Sequence, residues 1–231
     1  MDEHERQKLE ALAEFAAGAG HEINNPLAII GGRAQLLLRE IEHPEHRRQL
    51  GVIVAQVKRA YEMIADIRFF ARPPQPEPVV VNLVEELETL VAEQMPMMVE
   101  SGVTFHVDIN PAEEPLVETD PVLLHVAVNA LCNNAREAAQ FTQGTVWLSL
   151  QREDAVWEII VKDDGSGISE EVRSLLFDPY YSGRQAGRGL GFGLPKAWRI
   201  MQLLGGTIRY EQPVEQQGVA FMLTLPTRVF S

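Results

Sequence analysis

A pair of apolar seams near the start, cut off by a cluster of prolines, limits the possible folds of this chain more than any other feature. Apolar residues stand at Leu9, Leu12, Ala16, Ala19 and Ile23, then at Leu27, Ile30, Ala34, Leu37 and Ile41, in steps of three and four. Such spacing keeps one face of an α-helix apolar. Ile23 to Leu27 is a second consecutive step of four, and it straddles Pro26. A proline removes one helical hydrogen bond and kinks the helix, so the seam is expected to shift there. A second seam runs through Leu50, Ile53, Val57, Ala60, Ile64, Ile67 and Ala71. Between them EHPEHRR, with Pro44 and polar residues, reads as a turn. Two long helices on a short loop make an antiparallel hairpin. One hairpin has too little facing surface to bury both seams, which predicts a homodimer built as a four-helix bundle.

Counted in heptads from Leu9 at position a, His21 falls at f, away from the seam. Taken by itself it is a solvated surface histidine. The hairpin ends at RPPQPEP, residues 72–78, where four prolines give a stiff, extended linker. The expected organisation is a helical domain over 1–72, a linker over 73–78 and a second domain over 79–231.

Beyond the linker the pattern becomes mixed. Strands are predicted at 79–81, 103–109, 145–151, 156–162, 207–210 and 219–225. Helices are predicted from Asn82 to about Val99, from Asp120-Pro121 to about Gln140, from Ser169, and from about Leu190 to Leu203. Asn82 and Asp120 are side-chain caps, and Pro121 suits a first helical turn. The expected fold is an α/β sandwich, one mixed sheet with helices on one face.

A net charge of −13 argues against nucleic acid as a partner, because phosphates need a basic face. A polyanion such as ATP must then be held by local devices: glycine turns, helix N-termini, a few placed cations and a divalent metal. The single cysteine, Cys132, rules out an internal disulfide framework and fits a reducing cytoplasm. No run of 18 apolar residues and no signal peptide are present, so a cytoplasmic chain without a membrane segment is expected.

Three further stretches carry chemistry. Asp163-Asp164-Gly165-Ser166-Gly167-Ile168 follows a strand; a carboxylate there can accept a hydrogen bond from an exocyclic amine, and glycines admit a close ligand. Any acidic turn after a strand has the same look. Gly187-Arg188-Gly189-Leu190-Gly191-Phe192-Gly193 opens a helix, as an anion-binding turn does. It lacks the Gly-Lys-Ser/Thr ending of a P-loop and the lead-in strand of a dinucleotide site; a glycine hinge is the other reading. Asn129, Asn133 and Asn134 interrupt an apolar helix, either as buried amides bonding a neighbour or as an oxygen ligand to Mg²⁺.

With these motifs in order, the chain resembles the sensor histidine kinases of two-component systems over nearly its whole length. HEINNPL, with His21, matches their H-box; NNAREA, with Asn134, the end of the N-box; DDGSGI the G1 box; Leu176 to Ser182 the F-box; and GRGLGFGL the G2 box. The resemblance implies a dimerisation and phosphotransfer hairpin followed by a GHKL (Bergerat) ATP-binding domain. It makes His21 the phosphoacceptor, with Glu22 handling the proton on the other ring nitrogen. It gives Mg²⁺ to Asn134 and the adenine amino group to Asp163. Gly165, Gly167, Ile168, Tyr181, Arg184, Gly187, Gly189, Leu190 and Gly191 would line the nucleotide pocket and its lid. Asn25, one turn after His21, stands where the family aligns water on the phospho-aspartate of a response-regulator receiver domain, implying phosphatase activity as well.

The chain departs from the family pattern at three places. Ala130 occupies the first N-box asparagine position, and Asn129 beside it is rotated about 100° around the helix. Arg188 replaces the usual threonine of the G2 box, and Leu204 the usual histidine before Gly205-Gly206. The alternatives to a kinase are a GHKL ATPase clamp and a degenerate nucleotide-binding dimeric scaffold.

Overall fold

The computed structural model describes residues 3–173, 175–177, 192–212 and 218–226; for residues 3–19, 21, 70 and 71 it describes the backbone alone. The chain divides into two compact units, Met1–Pro74 and Gln75–Ser231.

The first unit is a helical hairpin of α1 (Glu3–Glu40) and α2 (Pro44–Ala71). Pro44 opens α2, where its missing N–H costs nothing. The Arg47 guanidinium reaches back from α2 and donates to the carbonyls of Leu38 and Ile41, closing the end of α1. Pro26 lies inside α1, and the helix continues through it. One lost hydrogen bond in a 38-residue helix packed along a neighbour does not end it.

The apolar seam of α1 divides into two stripes. Leu27, Ala34 and Ile41, with Gly31 and Leu38 between them and Gly20 before them, are buried or half-buried in the hairpin. Small residues let α2 approach closely: a Cβ on Gly31 would stand 3.0 Å from Val57 Cγ1, and one on Gly20 3.1 Å from Ile64 Cγ2. Ile23, Ile30 and Leu37, spaced seven apart, stay 46%, 49% and 43% exposed within the single hairpin, and Ile53 of α2 is exposed with them.

The second unit contains β1 (Val79–Asn82), α3 (Leu83–Glu100), β2 (Thr104–Asp108), β3 (Leu116–Thr119) and α4 (Pro121–Ala139). It continues with β4 (Thr145–Glu153), β5 (Val156–Asp163), α5 (Glu170–Arg173), α6 (Gly193–Leu203), β6 (Thr207–Glu211) and β7 (Val219–Pro226). Both predicted caps form: Asn82 accepts from the Val84 amide at 2.9 Å and Asp120 from the Leu123 amide at 3.0 Å. The second Asp120 oxygen accepts from the Glu77 amide at 2.9 Å, which ties the preceding segment to the start of α4.

The sheet has five strands in the order β2-β4-β5-β7-β6, with β2 parallel to β4 and every other pair antiparallel. Strand β3 was not anticipated. It is four residues long and pairs with β1 in a separate two-stranded sheet, so the expected single sheet becomes two. Along β4, β5 and β7 alternate residues point to one side. On the covered side Leu148, Ile159, Val161, Phe221 and Leu223 are fully buried, and α4 packs against β4, β5 and β7 there. The opposite face carries Trp147 under Lys162, and the buried Glu158 paired with Arg209 at 2.7 Å.

Candidate functional site

Asp163 ends β5, the central strand, opposite Val146 on one side and Val219 on the other. That register points its carboxylate to the helix-covered face, where it is 2% exposed. Its Oδ1 accepts a hydrogen bond from the Gly165 amide at 2.9 Å, so the chain turns sharply back over the carboxylate. Only glycine fits at 165: a Cβ there would stand 2.8 Å from both Asp163 Oδ1 and the Ala138 Cβ of α4. The neighbouring acid does a different job. Asp164 Oδ1 accepts from the Thr145 amide at 2.7 Å and latches the turn to the start of β4.

The turn ends on Gly167, whose φ of 76° is left-handed backbone that favours glycine. The Ile168 amide then donates to Gln212 Oε1, just beyond β6, at 3.1 Å. Ala138 and Gln212 were not singled out in the sequence, because nothing local marks a residue that acts by bracing a distant turn. A buried carboxylate at a strand end, walled by glycines rather than side chains, suits a flat ligand bearing an amine.

The three asparagines of α4 separate by role. Asn129 Oδ1 accepts from Gln94 Nε2 of α3 and from Asn133 Nδ2, the latter at 3.2 Å. Gln94 is only 2% exposed, so Asn129 is committed to joining α3 and α4. It therefore does not supply the amide missing at Ala130, as its rotation around the helix implied. Asn134 lies half-buried on the same helix. Among the described residues no group of three or more His, Cys, Asp or Glu could hold a metal ion. A lone amide oxygen fits Mg²⁺ carried in by a nucleotide, since that ion keeps water and phosphate as most of its ligands. Cys132 is buried on α4, and burial pushes its thiol up to about 12, which removes it as a nucleophile.

On the hairpin, His21 lies within α1, and Glu22 beside it and Asn25 one turn later are exposed. Of the F-box, Leu176 is buried and Phe177 half-buried. Tyr181, Arg184, Gly187, Gly189, Leu190 and Gly191 lie outside the described residues.

Residues 11–76 match the His Kinase A (phospho-acceptor) domain, and residues 119–229 match the histidine kinase-, DNA gyrase B- and HSP90-like ATPase. The chain is 31% identical to sporulation kinase D of Bacillus subtilis over 97% of its own length and 44% of the relative's. It is 30% identical to the signal transduction histidine-protein kinase AtoS of Escherichia coli over 95% of this chain and 36% of that one. Against the sensor protein kinase PilS of Pseudomonas aeruginosa it is 34% identical over 83% of this chain and 37% of the relative. The chain thus spans less than half the length of these curated relatives.

Solved structures share the fold, ShkA and ThkA among them. Full-length ShkA, crystallised with AMPPNP, aligns with a TM-score of 0.75 at 22% identity over 92% of this chain and 45% of that one. ThkA, in complex with the response regulator TrrA, aligns with a TM-score of 0.71 at 23% identity over 96% and 64%. A helical hairpin joined to an α/β sandwich with a buried aspartate at its central strand end defines a two-domain nucleotide-binding class. Within that class, the chain belongs to the sensor histidine kinases of two-component systems.

Proposed function

We propose that this chain is an ATP-dependent protein-histidine kinase that phosphorylates His21 and passes the phosphoryl group to an aspartate of a response regulator. The observation that carries the reading is the Asp163–Gly165 turn, which buries an acceptor for the adenine amine in a chain that also carries the HEINNP helix. Gly165, Gly167 and Ile168 form the wall against which the base lies, and Tyr181, Arg184, Gly187, Gly189, Leu190 and Gly191 complete the pocket and its lid. Asn134 holds Mg²⁺, which neutralises phosphate charge when bound.

A lone pair on one imidazole nitrogen of neutral His21 attacks the γ-phosphorus. The bond from phosphorus to the β–γ bridging oxygen breaks, ADP leaves, and Glu22 takes or orients the proton on the other ring nitrogen. Positioning and charge neutralisation supply most of the rate in phosphoryl transfer, and this residue inventory provides both. A response regulator is the partner of ThkA in the complex above, and a receiver domain is the acceptor we assign here. Asn25 aligns the water that hydrolyses the receiver's phospho-aspartate. The exposed stripe of Ile23, Ile30 and Leu37 is the face on which a second hairpin packs, giving a homodimer.

The phosphoacceptor match over residues 11–76 favours a kinase over an ATPase clamp or a nucleotide-binding scaffold. No helix among the described residues is long and apolar enough to cross a membrane, and with the lone cysteine this supports a cytoplasmic location. The relay is tested by loading the chain with label from γ-labelled ATP and adding receiver domains. Label should leave the kinase for one receiver within minutes. Retention of label on the kinase against every receiver of the same genome would contradict the relay.

A further inference from the structure

The Tyr61 hydroxyl of α2 donates a hydrogen bond to the backbone carbonyl of Asn24 on α1 at 3.0 Å. This contact sits in the turn of α1 that Pro26 weakens. Pro26 has no N–H, so the Glu22 carbonyl lacks its helical donor, and the ring crowds the turn before it. Asn24 also has a side-chain oxygen, Oδ1, that is buried and has no hydrogen-bond partner among the described residues. Buried acceptors are rarely left unpaired. The hydroxyl has one proton, and it goes to the main chain while the side-chain acceptor stays bare. The peptide group it holds is the one leading into Asn25, whose side chain is exposed.

We infer that Tyr61 is a positioning residue for dephosphorylation of the receiver. By fixing the Asn24–Asn25 peptide across the hairpin, it sets the direction in which the Asn25 amide projects. In that reaction the water oxygen bonds to phosphorus, the phosphorus–aspartyl oxygen bond breaks, and free carboxylate and inorganic phosphate result. Asn25 accepts a hydrogen bond from the attacking water. His21 lies before the clamped peptide, so its own phosphorylation does not depend on the clamp. The inference rests on the assignment of Asn25 above.

The test compares wild type, Tyr61→Phe, Asn25→Ala and the double variant of the full chain. The substrate is a receiver domain that the chain phosphorylates, charged beforehand with acetyl phosphate, and phosphate release is followed. Tyr61→Phe keeps the ring and so its packing. It should lower the turnover number about 3- to 10-fold, the scale of one lost positioning hydrogen bond, with KM unchanged. Autophosphorylation should stay within about two-fold of wild type, and the double variant should be no slower than Asn25→Ala. An unchanged rate in Tyr61→Phe, equal losses in both reactions, or additive losses in the double variant would overturn the inference. A wild-type rate in Asn25→Ala would instead overturn the assignment of Asn25, and the inference with it.

Discussion

The Asp163 carboxylate and the Gly165 amide face each other at 2.9 Å across a turn too tight to admit a side chain at residue 165. This relationship fixes a buried carboxylate at the space where β5 ends. Asp163→Asn should weaken nucleotide binding about 10- to 100-fold, the worth of one charge-assisted hydrogen bond, as read by titration calorimetry with ADP. Gly165→Ala should weaken it as well, because its methyl group meets α4. ADP affinity equal to wild type in Asp163→Asn would remove the carboxylate from the site.

Asn129 and Asn134, five residues apart on α4, should fail in opposite ways. Asn129→Ala strips the buried Gln94 amide of its acceptor. Its thermal midpoint should fall by roughly 3–10 °C, following a loss of about 1–3 kcal/mol, while nucleotide affinity changes little. Asn134→Ala should abolish the Mg²⁺ dependence of ATP affinity with a smaller change in midpoint. Calorimetry and thermal scanning on the same samples separate the two.

Ile30 is the centre of the exposed apolar stripe on α1. Ile30→Glu places a charge where a second hairpin should pack. Light scattering on wild type should report twice the 25.8 kDa protomer mass, and the variant should report the protomer mass at micromolar concentration. An unchanged dimer in Ile30→Glu would move the interface elsewhere.

Cys132 should resist alkylation. Its thiol is fully buried, and burial pushes its pKa up to about 12, so at pH 8 almost none of the reactive thiolate exists. Iodoacetamide at that pH should leave the folded chain unmodified in intact-mass spectra and label it only in denaturant. Rapid labelling of the native chain would show that α4 opens.

Elements set by local spacing were legible in the sequence. The hairpin, the caps at Asn82 and Asp120 and the strands around Asp163 all follow from period and from side-chain capping, which act within a few residues. Two features were not. Strand β3, only four residues long, is held by its pairing with β1, from which α3 and β2 separate it in the chain, and no local pattern records that. Gln212 braces Ile168 from 44 residues away, and a side chain that serves a distant backbone leaves no motif. The division of the α1 seam was also hidden, because periodicity marks an apolar face without saying which part meets α2.

The most direct test of the central claim is the chemistry of the label that γ-labelled ATP and Mg²⁺ leave on the purified chain. We predict an acid-labile, base-stable phosphoryl group that maps to the peptide containing His21 and is absent from His21→Gln. Label that is acid-stable, or that persists in His21→Gln, would contradict the account.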